Sequence, residues 1–138
     1  MIEDKQLRSL YGSESEEHLR KLEQEFLQLK EKPNDTALLD AMRREAHGLK
    51  GAARMIGLTG IDNLSHILED TFTAAGRGDV LLDSKRIEDL HRGLEAVKAL
   101  VAEAVSGTPV AVDVDAVSAM LKRGAGEAAE ETENAGNR

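Results

Sequence analysis

Four stretches of this chain repeat apolar residues at spacings of three and four, and breaks containing Gly or Pro separate them. That rhythm lines up the apolar side chains on one face of an α-helix and is incompatible with a strand, whose faces alternate every second residue. The first stretch carries Leu19, Leu22, Phe26 and Leu29, and Pro33-Asn34-Asp35 ends it. Ser13-x-x-Glu16 has the form of its capping box, while Leu7, Leu10 and Tyr11 mark an earlier turn of the same helix. The second opens near Asp35 or Thr36 and turns Leu39, Met42, Ala46, Leu49, Ala53 and Ile56 inward, before a turn bracketed by Gly57 and Gly60. Ile61, Leu64, Leu68, Phe72 and Ala75 form the third, closed by Gly76-Arg77-Gly78-Asp79. Asp83 or Ser84 opens the fourth, in which Ile87, Leu90, Leu94, Val97, Val101 and Ala104 keep the same spacing up to Gly107-Thr108-Pro109.

Short connections between such helices make neighbours antiparallel, so the expected fold is all-α, an up-down four-helix bundle. Two Phe, one Tyr and no Trp among 138 residues leave an aliphatic core, which suits packed helices. Asp113 or Asp115 is expected to cap an additional short C-terminal helix holding Val114, Val117 and Leu121. The chain thus divides into a bundle over 1–106, a linker with the short fifth helix over 107–123, and a tail over 124–138. The tail is rich in Gly, Ala, Glu and Asn without an apolar period and is expected to be disordered.

A net charge of −8 and a pI near 5.0 disfavour phosphate backbones and anionic membranes, and so few rings offer no stacking platform for bases. Nucleic acid and membrane are therefore not expected partners. Without cysteine there are no disulfides, thiolate metal sites or cysteine nucleophiles. Met1-Ile2-Glu3-Asp4-Lys5 opens no signal-peptide core, and a cytoplasmic protein is expected. No G-x-x-x-x-G-K-[ST] or G-x-G-x-x-G loop is present, so the chain has nothing to hold ATP.

The second helix contains Gly48 and Gly51, each costing about 1 kcal/mol relative to Ala. Bare backbone at these positions lets another helix or another protein approach closely. At about 100° per residue, Arg43, His47, Lys50 and Arg54 fall within an arc of roughly 60° and make a basic stripe flanking the apolar face. Asp62, His66, Glu69 and Thr73 form a polar stripe on the third helix. In an antiparallel hairpin, residues whose numbers share one sum lie at one height. Arg54 with Asp62, Lys50 with His66, His47 with Glu69, and Arg43 with Thr73 obey this rule, and the core pairs Ala53 with Leu64 and Leu49 with Leu68 sit one step away. Glu69 is therefore expected beside His47. A carboxylate on the Nδ1 hydrogen fixes the tautomer and leaves Nε2 as a nucleophile. A phosphoryl group arriving there would be stabilised by Lys50 and the basic stripe, read as a locally cationic patch.

The run His47-Gly48-Leu49-Lys50-Gly51-Ala52-Ala53, followed by Gly57, resembles the H-x-[LI]-K-G core of histidine-containing phosphotransfer (HPt) domains, in particular the N-terminal domain of CheA-type chemotaxis kinases. His66 and Glu69 stand at the spacing of that group, and the likeness runs from about Glu3 to Ser106. The resemblance implies that His47 is the phosphorylated residue, Glu69 its hydrogen-bond acceptor, and Lys50 and His66 supporting polar groups. It also implies a partner: a histidine-kinase domain that binds ATP and Mg²⁺ and is expected to follow in the full-length chain. Response-regulator receiver domains, CheY-like or CheB-like, would then take the phosphoryl group. Arg43, Gly48, Gly51 and Arg54 are the expected partner contacts. Gly48 stands where relatives often carry Ser or Thr, and Arg54 where they often carry Gly. The module is expected to be monomeric, to be no enzyme by itself, and to carry neither cofactor nor metal.

Two other classes of reading exist. Glu88-x-x-His91 has the spacing of di-iron carboxylate bundles, but such sites need two of these motifs. A passive scaffold or dimerisation bundle leaves the two glycines beside His47 unexplained. His18 and His91 are expected at the surface without a role.

Overall fold

The structure is a computed structural model and describes residues 1–122; the expected disordered tail lies outside the described residues. Its helices are α1 (Lys5–Glu31), α2 (Thr36–Met55), α3 (Thr59–Gly76) and α4 (Ser84–Ser106). A fifth helical segment, α5, covers 114–122, and no strand occurs among the described residues. Helices α1 and α3 each pack on both α2 and α4, while the diagonal pairs stay apart, as in an up-down bundle.

Side-chain caps set three starts: Asp35 accepts from the Leu38 N–H at 3.0 Å and Asp83 from the Arg86 N–H at 2.8 Å. In α1 the cap is Asp4, which accepts from the Leu7 N–H at 2.9 Å. The Ser13 capping box is thereby corrected: the earlier turn wins, and Ser13 lies inside the helix. Tyr11 is buried in that turn, whereas Leu7 and Leu10 are exposed.

The apolar faces meet as their spacing requires. Leu22, Leu29, Met42, Leu49, Leu64 and Leu94 have no exposed surface, each contributing about 1.5–3 kcal/mol by burial. Phe26 and Phe72 meet edge to face in the centre with ring centroids 5.9 Å apart. Ile56 and Ala75, at helix ends, are only partly buried, short of the expectation for them.

The turn between α2 and α3 aligns the two helices that carry the polar stripes. Gly57 adopts φ 76°, a left-handed conformation that side chains with a Cβ resist. The Leu58 N–H bonds the Ala53 carbonyl at 2.9 Å and the Gly57 N–H that of Arg54 at 3.3 Å, a Schellman closure. It reverses the chain within three residues and fixes the register of the hairpin. Beyond α4, Asp113 caps α5 through the Ala116 N–H at 3.0 Å. Leu121 of α5 is buried over Gly93 of α4, where an added Cβ would stand 3.0 Å from its Cδ1.

Candidate functional site

His47 of α2 projects from the bundle with 61% of its side chain exposed, and its Nδ1 is hydrogen-bonded to Oε2 of Glu69 on α3. Glu69 itself is held in the groove between the helices, 11% exposed. Its second oxygen, Oε1, accepts from Lys50 Nζ at 2.7 Å. Positions 47 and 50 are three apart on one helix and so share a face. Two adjacent turns of α2 therefore grip one carboxylate by its two oxygens.

Burial works against ionisation of Glu69, yet the hydrogen bonds from Lys50 and then His47 outweigh it and hold the carboxyl below the usual carboxylate range. Glu69 is thus a carboxylate at neutral pH. Nδ1 must then carry the hydrogen and donate it, which puts the free lone pair on Nε2. An exposed imidazole with a fixed tautomer is a nucleophile open to a bulky electrophile.

The hairpin brings Arg54 to Asp62 as well, its Nε and one terminal nitrogen each 3.1 Å from a carboxylate oxygen. In two of the equal-height pairs the side chains take other partners. Lys50 reaches down to Glu69 instead of across to His66, whose Nε2 faces Asp70 of its own helix at 3.4 Å. Arg43 bonds Asp40 at 3.0 Å, and the Thr73 hydroxyl donates to the Glu69 carbonyl at 2.9 Å. Each base of the stripe also has an acid beside it, so the stripe carries less net charge than its sequence suggests, although Asp40 serves Arg44 as well as Arg43. Arg43 has Asp40, Lys50 has Glu69 and Arg54 has Asp62, since long flexible bases find the nearest carboxylate at their height.

The glycines divide their work. A Cβ on Gly51 would meet nothing within 4 Å, so this position, one turn from His47, is an open approach. At Gly48 a Cβ would fall 2.5 Å from Cε1 and Nε2 of His18 on α1. The His18 ring lies over this bare backbone and is tied down by Nδ1 to Glu45 Oε2 at 2.6 Å. This corrects the expectation of an idle surface His18; its signal is a glycine that one helix must expose for another to cover. His66, Glu69 and Asp70 offer oxygen and nitrogen atoms within 4.8 Å of one another, a spacing that suits a metal ion. Both Glu69 oxygens there are already engaged by His47 and Lys50.

The family model described as "Hpt domain" matches residues 6–100. The chain is 32% identical over 112 residues to chemotaxis protein CheA of Bacillus subtilis, covering 81% of this chain and 17% of that protein. It is 25% identical over 122 residues to CheA of Borreliella burgdorferi, covering 88% and 14%. The chain therefore spans less than a fifth of these relatives. Among solved structures, a histidine phosphotransfer domain of CheA superposes with a TM-score of 0.74 at 25% identity, covering 83% of this chain and 87% of that one. The CheA phosphotransferase domain from Thermotoga maritima does so with a TM-score of 0.68 at 26% identity, covering 71% and 93%. An outward imidazole backed by a carboxylate, on a helical bundle with these likenesses, leaves one assignment: the chain belongs to the Hpt domain family.

Proposed function

We propose that His47 is the phosphoacceptor of a chemotaxis phosphorelay. A CheA-type kinase domain holding ATP and Mg²⁺ presents the γ-phosphoryl group, and the Nε2 lone pair attacks phosphorus in line. A P–N bond forms, the P–O bond to ADP breaks, and ADP leaves with that electron pair. A receiver-domain aspartate, of the CheY-like or CheB-like kind, then attacks the same phosphorus and His47 departs neutral. An Hpt domain is a phosphoacceptor module and turns nothing over by itself.

The observation that carries this reading is the Glu69 carboxylate on Nδ1 of an exposed His47. As the ring bonds phosphorus it acquires positive charge, which Glu69 stabilises in place; Glu69 is a positioning residue. Lys50 lies on the same carboxylate and supplies a cation for the incoming phosphoryl oxygens. His66, half exposed beside Asp70, belongs to the rim of the docking face. So do Arg43 and Arg54, both paired with acids, and Gly51, where nothing blocks approach. Gly48 acts there indirectly, as the seat of His18. We take the bundle over 1–106 as the phosphotransfer unit, monomeric and at work where ATP is available, in the cytoplasm. Among the described residues no helix is long and apolar enough to cross a membrane.

Incubating the chain with ATP and a CheA-type kinase domain tests the proposal. Phosphate that is acid-labile and base-stable should appear on the wild type and be absent from His47→Gln. Label persisting on that variant refutes the site.

A further inference from the structure

The face of the bundle opposite the hairpin is built by α1 and α4, and there Glu23, His91 and Glu95 come together. His91 and Glu95 are four apart on α4 and project from one side of it, while Glu23 reaches across from α1. His91 Nε2 is 3.0 Å from Glu23 Oε2 and 3.6 Å from Glu95 Oε1. All three ligand atoms lie within 4.8 Å of one another. Ligand atoms about 2.0–2.2 Å from a tetrahedral Zn²⁺ stand roughly 3.3–3.6 Å apart, so the two His91 separations lie within a few tenths of an ångström of what a bound ion requires.

Three further observations point to a cation. The second oxygen of Glu23, Oε1, is buried and finds no hydrogen-bond donor. The His91 ring meets Phe26 in a T-shaped contact with centroids 5.2 Å apart, which orients the imidazole. Two carboxylates also crowd here, with Lys98 and His91 as the bases facing them. Glu88, the residue of the di-iron spacing, is instead engaged with Arg92 at 2.9 Å.

We infer that Glu23, His91 and Glu95 form a Zn²⁺ site that clips α1 to α4, with a coordination position left open to water. One nitrogen and two carboxylate oxygens suit this borderline ion, and partial exposure of all three residues leaves an entry path. The ion would be structural: it sits on the face away from His47 and takes no part in phosphoryl transfer, so the inference stands or falls apart from the phosphorelay reading.

The test is calorimetric titration of the chelator-treated chain with Zn²⁺, with Co²⁺ absorption as a second probe. One ion per chain should bind, raise the thermal midpoint and give visible bands of a four- or five-coordinate Co²⁺. Loss of a direct ligand should exceed the roughly 10–100-fold lost with an outer-shell partner, so His91→Ala and the milder Glu95→Gln should each abolish the thermal shift. His66→Ala, at the acidic cluster of α3, should leave it intact. No saturable binding by the wild type, or binding that survives both α4 variants, overturns the site.

Discussion

Replacing Glu69 by Ala isolates the contribution of the carboxylate to the histidine. The substitution deletes the bond to Nδ1 of His47 and the 2.7 Å bond from Lys50 Nζ. Hydrogen bonds to charged groups are worth about 1.5–3 kcal/mol each. Only the bond to His47 strengthens as the ring becomes cationic in the transition state, so it alone sets the rate effect. With 1.36 kcal/mol per tenfold, phosphorylation should slow by roughly 10–100-fold. Stability should change less: Lys50, 14% exposed, loses its partner but can extend its head group into water, costing about 1 kcal/mol and a few degrees of thermal midpoint. The assay is single-turnover phosphorylation at saturating kinase domain, paired with a circular-dichroism melt. A rate within twofold of wild type on a folded variant would refute the polarising role of Glu69. Loss of the fold would be met by Glu69→Gln, which keeps the packing and should still slow transfer.

Three other expectations rest on named contacts. Gly48→Ala should gain about 1 kcal/mol of helix propensity yet drive the His18 ring from Glu45, so a stability cycle with His18→Ala should find Gly48→Ala stabilising only where the imidazole is gone. Additive effects would deny the contact. Burial, then the neighbouring Glu45 charge, push Glu25 up from its ordinary 4.5 to about 7. A raised carboxyl costs stability increasingly as pH climbs through that window, so Glu25→Gln should stabilise by about 1 kcal/mol at pH 8, after discount for solvent screening, and by nothing at pH 4. Denaturant melts at the two pH values check this, and an equal effect at both would contradict it. Finally, Gly93→Ala should displace Leu121, whose Cδ atoms would stand 3.0 and 3.2 Å from the new Cβ, and loosen α5, while Leu68 at 3.4 Å stays in ordinary contact and the four-helix bundle stays folded. Amide exchange that stays protected in α5 would count against that docking.

Sequence by itself determined the helices, their inward faces and the height at which they pair. Apolar spacing and caps such as Asp35 and Asp83 act within one or two turns, so their outcome does not depend on the rest of the chain. The pairing of His47 with Glu69 and of Arg54 with Asp62 was legible for a related reason: an antiparallel hairpin closed at Gly57 leaves one register that buries both apolar faces. Tertiary structure alone decided the rest. Lys50 chose Glu69 over His66, His18 crossed from α1 onto Gly48, α5 found Gly93, and Glu23 met His91. Each of these turns on the rotation of a helix about its own axis and on the reach of a flexible side chain. Both are set only when all the faces pack at once.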